Sequence, residues 1–200
     1  MMKYRIIKLG VLLTNLCGLV GAANVALVPK TGQTTTLPLT APANSDGALQ
    51  KGQAWPTPRF VADASGNCIT DKLTGLMWVK DLNTVNNGST LDWITGLTTA
   101  DNGSWCGYTD WRMPNINELR SRVNYAYANQ ASWLMYGSGD ITTPVCSGAC
   151  FANVQGTYWS SSSSAADTTL ALTVTSSGGV GTAGKNTGIS IRLFPVRGGQ

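Results

Sequence analysis

Along residues 107–123, GYTDWRMPNINELRSRV, scattered aromatic and charged positions give way to a helical repeat. Pro114 stops the preceding extended segment, and Ile116, Leu119 and Val123 then fall on one face at helical spacing. Asn115 is placed as N-cap, and Glu118, three residues on, reaches back to the cap amide, an Asn version of the capping box. The pattern predicts a helix from Ile116 to about Tyr127. A shorter helix, capped by Ser89 or Thr90, is expected around Leu91, Trp93, Ile94 and Leu97, and residues 101–103 break it. Upstream, Cys68, Ile69 and Thr70 read as extended, DKLTG (71–75) as a tight connection and LMWV (76–79) as the returning strand of a hairpin. Gly75 suits a positive φ there, and Asp71 can bond the amides that follow it.

Downstream, Leu170, Leu172 and Val174 alternate with Ala171, Thr173 and Thr175, the period of a strand with one buried face. Ile189, Ile191 and Leu193 repeat that pattern after a glycine-rich stretch at 176–188. The serine run that follows Tyr158 and Trp159 is expected as a loop within the domain. Strands at both ends with two helices between predict an α+β domain with an antiparallel sheet, and exclude the repeating βα order of a doubly wound fold.

Residues 1–23 carry Lys3, Arg5 and Lys8, then an apolar run over 11–20 and small residues at 21–23, the layout of a cleaved signal peptide. The protein is therefore expected to be exported: secreted, periplasmic or held at the cell surface. The run falls short of the ~20 residues of a membrane span, so no span is expected after cleavage. Cys17 before Gly18 raises lipidation as an alternative, which the bulky Leu16 disfavours. Removing the leader takes three of the fourteen basic residues and none of the ten acidic ones, leaving a net charge near +1. Such a balance gives no electrostatic footprint for nucleic acid. Residues 24–57, with Thr34, Thr35 and Thr36 and four of the eight prolines, read as a linker or irregular N-terminal arm. The domain proper is placed at 58–200.

Cys68, Cys106, Cys146 and Cys150 remain in the exported chain, and an even count reads as two disulfides with three connectivities. The short flexible spacer between Cys146 and Cys150 favours pairing those two, which leaves Cys68 with Cys106. The chain has no histidine and no CxxC, so no zinc site is expected, and no residue pattern names another metal or a cofactor. Imidazole-dependent nucleophilic systems cannot be assembled either. Glu118 is the only glutamate and is committed to a cap, so a non-enzymatic role is the stronger class.

Four motifs occur in order: TDKLTGLMWVKD (70–81), GYTDWRMPNINEL (107–119), YWSSS (158–162) and FPVRGGQ (194–200). Together they resemble the Lcl C-terminal domain family, named for the C-terminal domain of a bacterial collagen-like surface protein. The resemblance implies a C-type lectin-like fold, related to the domain of formylglycine-generating enzymes. Those enzymes act through copper-binding cysteines, and nothing here matches their catalytic pair. The Glu-Pro-Asn and Trp-Asn-Asp triplets of calcium-dependent sugar-binding relatives are absent too, so calcium is unsupported.

Some members of the collagen-like protein family are adhesins that bind sulfated polysaccharides, and lectin-like domains of related type serve as variable ligand-binding proteins in retroelement systems. The resemblance therefore implies a glycan or protein ligand bound on a surface. It places the ligand face within 160–192, where Asp167, Thr169, Lys185, Asn186 and Arg192 are the candidates; the plain alternative for each is an ordinary solvated edge. Trp78, Trp111 and Trp159 are expected to fill the core rather than stack on sugars. Asp110 and Arg112 are expected to fix the turn into the helix through an ion pair and backbone bonds, and Arg197 to do similar work at the C-terminus. Alternative readings are an enzyme-like relative of the formylglycine-generating group, and a self-associating subunit of a surface appendage or phage-like particle.

Overall fold

The computed structural model describes residues 28–36, 40–137, 149–186, 188 and 191–198. The signal-peptide segment, Cys146 and Ile189 lie outside the described residues. The fold is α+β, with two antiparallel sheets. The first sheet has the order β1 (Phe60–Ala62), β2 (Cys68–Asp71), β3 (Met77–Val79), β7 (Val196–Arg197). The second has the order β4 (Thr157–Ser163), β5 (Leu170–Thr175), β6 (Val180–Gly184). The helices are α1 (Asp46–Leu49), α2 (Trp93–Asp101), α3 (Ile116–Ser121) and α4 (Gln130–Tyr136), so α1 and α4 join the two that the pattern predicts.

The β2–β3 hairpin forms as expected, with Ile69 opposite Trp78 and Gly75 at φ 73°. Asp71 accepts from the Leu73 amide at 3.0 Å and the Thr74 hydroxyl at 3.1 Å. The same carboxylate also receives Arg59, through Nε at 2.9 Å and Nη2 at 2.7 Å, and both partners are buried. Arg59 Nη2 donates to the Ser121 carbonyl as well, tying the hairpin turn to the end of α3. The described residues of 28–57 are largely irregular and contact this region. Gln53 pairs with Val28 and Lys30 through backbone bonds, the Tyr125 amide donates to the Thr31 carbonyl, and the Trp55 ring lies under Arg59 at 4.4 Å.

The capping box at α3 is complete: the Asn115 side chain accepts from the Glu118 amide at 2.9 Å, and the Asn115 amide donates to Glu118 at 2.8 Å. Leu119 and Val123 are buried, but the helix stops at Ser121, short of Tyr127. Gln130 takes over the following turn. Its side chain accepts from the Asn124 amide and donates to the Asn124 and Tyr127 carbonyls, and such side-chain bonds compete with further helical ones. Replacing Asn115 by alanine should cost about 1 kcal/mol, read as a fall of ~3 °C in melting temperature. An unchanged melting temperature would show that the cap contributes nothing.

Helix α2 departs from its predicted form. Asp92, not Ser89 or Thr90, is the cap, accepting from the Thr95 amide at 2.9 Å and its hydroxyl at 2.6 Å. Leu91 lies before the helix because its amide and carbonyl are paired with Ile191. Gly96 and Ala100 form the buried face, while Ile94 is exposed.

The serine run is strand β4, not a loop, and the glycine-rich stretch contains β6, whose small residues pair along β5. In β5 the alternation fails: Ala171 and Thr173 are buried along with Val174, while Leu170 and Leu172 are half-buried. Both faces of this sheet are covered. Trp159, opposite Thr173, donates to the Leu91 carbonyl beside α2, whereas Tyr158, opposite Val174, lies near Leu119 of α3 and Leu134 of α4. The expected strand over 189–193 is reduced, among the described residues, to bridges at Ile191 and Arg192, and the regular C-terminal strand is β7. The core joins the sheets through Phe194, whose ring contacts Trp78, Phe151 and Tyr158 at 5.3, 5.4 and 5.3 Å.

Cys68 and Cys106 form a disulfide. Cys150 is also disulfide-bonded. No helix among the described residues is long and apolar enough to cross a membrane.

Candidate functional site

The motif residues are structural in placement. Trp78, Trp111 and Trp159 are at most 2% exposed, so none presents a face to a ligand. Trp111 donates to the Trp105 and Tyr108 carbonyls. Asp110 and Arg112 do not pair with each other. Arg112 forms a two-point contact with Glu118 at 2.6 and 2.7 Å and exchanges backbone bonds with Val196, while Asp110 pairs with Arg197 at 2.7 Å. The backbone pairing of Arg112 with β7 brings Arg197 to Asp110, and the capping box brings Glu118 under Arg112. Desolvation raises the Glu118 pKa, but bonds from Arg112 and the Asn115 amide outweigh it and hold the carboxyl below its ordinary range. The guanidinium beside Asp110 likewise lowers that carboxyl.

The five candidate ligand residues divide. Lys185 follows β6, and its ammonium donates to the Ser163 hydroxyl at 2.6 Å and the Thr168 carbonyl at 2.8 Å, lying 4.4 Å from the centre of the Trp93 ring. Asp167 is exposed and accepts from the Thr169 hydroxyl and amide; those bonds, then the Lys185 charge, lower its pKa. Asp167, Thr169, Lys185 and Trp93 thus gather at one corner of the second sheet, with exposed Asn186 next along the chain. Arg192 does not join them. It sits at the other end of β4, bridging Tyr158 through its backbone and donating from its side chain to the Gly88 carbonyl.

An open groove lies between α2, residues 112–115 and β4. It holds about 480 Å³ and is lined by Leu97, Thr98 and Asp101 of α2, by Arg112, Met113 and Asn115, and by Ser161. Trp93 and Leu97 stand one helical turn apart and so share a face. The Trp93 indole donates to the Ser160 carbonyl at 2.8 Å, which fixes the helix against the strand. Within the serine run, Ser160 bonds to the Leu172 carbonyl, Ser162 accepts from the Ile116 amide and Ser163 holds Lys185. Ser161 is the member that lines the groove.

Sequence reasoning missed this groove. It placed Trp93 and Leu97 in a buried helix face and the serines in a loop; the usable signal was YWSSSS beginning as a strand. Chemically the groove combines apolar walls, hydroxyl and amide groups and both charge signs. Among the described residues no cluster of three or more His, Cys, Asp or Glu is placed to hold a metal.

An α+β domain built on two antiparallel sheets, with its aromatic motif residues buried and an open groove of apolar walls and placed polar groups beside them, is the class that fold and site define. The model of the Lcl C-terminal domain family matches residues 67–197, and the chain belongs to that family. No curated protein and no solved structure matches the chain.

Proposed function

We propose that this chain is an exported, non-catalytic recognition domain that binds a glycan or protein ligand at a surface, using the α2–β4 groove and the Lys185–Trp93 corner. The observation that carries the reading is the groove itself: an open cleft with Leu97 and Met113 as apolar wall, Ser161, Thr98 and Asn115 as hydrogen-bonding groups, and Arg112 and Asp101 as charges. Concave sites with a few placed polar groups on apolar walls are the usual form of a binding site. The rest of the chemistry supports binding over catalysis. Asp63, Asp71, Asp81, Asp92 and Asp167 are spent on turns and caps, and Asp110 and Glu118 on arginines. An enzyme-like relative of the formylglycine-generating group needs reactive thiols, whereas Cys68, Cys106 and Cys150 are oxidised. Export rests on the leader pattern and agrees with these disulfides.

The test is binding of the oxidised protein to a broad glycan array and to cell-surface preparations, repeated with Lys185→Ala and with Thr98→Phe, which sets a ring into the groove. We expect both variants to weaken binding at least tenfold, about 1.4 kcal/mol, with melting temperatures unchanged. Absence of binding by the parent protein, or variants that bind as well as it does, would overturn the proposal.

A further inference from the structure

Arg122 is 4% exposed and makes none of the ion pairs seen among the described residues. Its guanidinium lies among aromatic faces, 3.9 Å from the Phe194 ring centre, 4.6 Å from Trp78 and 5.7 Å from Tyr158. Ring faces attract the cation but accept nothing along its edge. No protein group accepts from Nε or Nη1, and Arg59 Nη1 and Trp78 Nε1, buried close by, are also without acceptors. Desolvation pushes the Arg122 guanidinium down to about 9, so it still carries its charge at neutral pH. The Asp71 charge reaches Arg122, but that carboxylate is held by both Nε and Nη2 of Arg59. Arg59, Asp71 and Arg122 therefore bury one more positive charge than negative.

Arg122 lines a small, partly open cavity of about 20 Å³, walled otherwise by apolar residues such as Leu119, Leu134 and Val174 and by Tyr158, Gln130, Thr175 and Ser176. That is room for one water-sized particle. The polar wall offers donors. The Tyr158 hydroxyl oxygen accepts from the Gln155 amide at 2.7 Å, which leaves its own proton to donate. Gln130 is engaged by Asn124 and Tyr127, the Thr175 hydroxyl by Ser177 and the Gly179 amide, and no carboxylate lines the space. A water there would satisfy a donor or two and leave the charge in place. A single small anion satisfies the donors and neutralises the charge together, as a buried ion requires.

We propose that the cavity beside Arg122 is a binding site for a small monovalent anion, chloride foremost, that is integral to the packing of α3 and α4 on the second sheet. The turn between β5 and β6 covers it: a Cβ added at Gly178 would come within 2.9 Å of Val123 and 3.2 Å of Gln130, two of its wall residues. The site is separate from the α2–β4 groove and does not depend on the function proposed for it.

The oxidised protein is melted in sodium chloride and in sodium gluconate at equal ionic strength. The expected result is a midpoint about 5 °C higher in ~0.5 M chloride, as specific binding to the native state gives. The difference should vanish in Arg122→Met. Because that variant removes a core group, the parent protein is also crystallised with bromide, and an anomalous peak is expected beside the guanidinium. Equal midpoints of the parent protein in the two salts, or a bromide derivative with no peak at Arg122, would overturn the assignment.

Discussion

Replacing Asp71 by alanine should destabilise the domain by about 3–5 kcal/mol, the cost of stripping the partner from a buried charge. Asp71 is 0% exposed and Arg59 is 6% exposed, so the guanidinium left behind has no route to bulk water without unpacking. Three further elements move with it. Arg59 is also bonded to the Ser121 carbonyl at the end of α3, lies against the Trp55 ring of the N-terminal arm, and its backbone carbonyl accepts from the Lys72 amide. Urea unfolding reads the effect as a midpoint lower by roughly 2 M, with the slope unchanged. Adding Arg59→Met to Asp71→Ala should recover part of the loss, because an apolar group in place of an orphaned charge removes the desolvation penalty. A single substitution costing under about 1 kcal/mol would mean that Arg59 finds another acceptor and that the pair does not hold the arm to the sheet.

That pair also marks where sequence reasoning stops. Asp71 and Gly75 were legible as turn residues because their partners lie within four positions. The contact with Arg59 was not, since nothing in the spacing says that β1 returns beside β2. The capping box was read correctly for the same local reason. Its neighbours were not: the capped Glu118 takes Arg112, and Asp110 goes to Arg197 because Arg112 pairs with Val196, more than eighty positions away. In the second sheet, periodicity assigned one buried face to β5. Helices α3 and α4 cover one side and α2 the other, and small residues such as Ala171 let the backbones approach.

The candidate site was legible only as a region. The resemblance directed attention to 160–192, and Asp167, Thr169 and Lys185 do meet there. Trp93 and the groove depend on α2 docking against β4, a tertiary event with no sequence period of its own. The distinctive motifs turned out to be where side chains are used up on the fold. The groove borders one of them, sharing Arg112, Met113 and Asn115 with it.

Removal of the Cys68–Cys106 disulfide by serine at both positions should cost about 4 kcal/mol, the chain-entropy value for a closed loop of 38 residues. The bond joins the first strand of the hairpin to the turn that holds the aromatic motif. Cys68 is fully buried opposite Val79, and Cys106 stands between Trp105 and Tyr108, whose carbonyls both receive the Trp111 indole. Loosening it should therefore release Trp111 before the second sheet melts, seen as tryptophan fluorescence changing at lower urea than the far-ultraviolet signal. Thiol titration of the native protein extends the test to function. Oxidised Cys68, Cys106 and Cys150 predict no reaction at these positions, whereas an enzyme of the formylglycine-generating kind needs a reactive pair. Free thiols at Cys68 or Cys106 in the native protein would reopen the enzymatic reading, and coincident unfolding of parent and serine variant would deny the disulfide its role in stability.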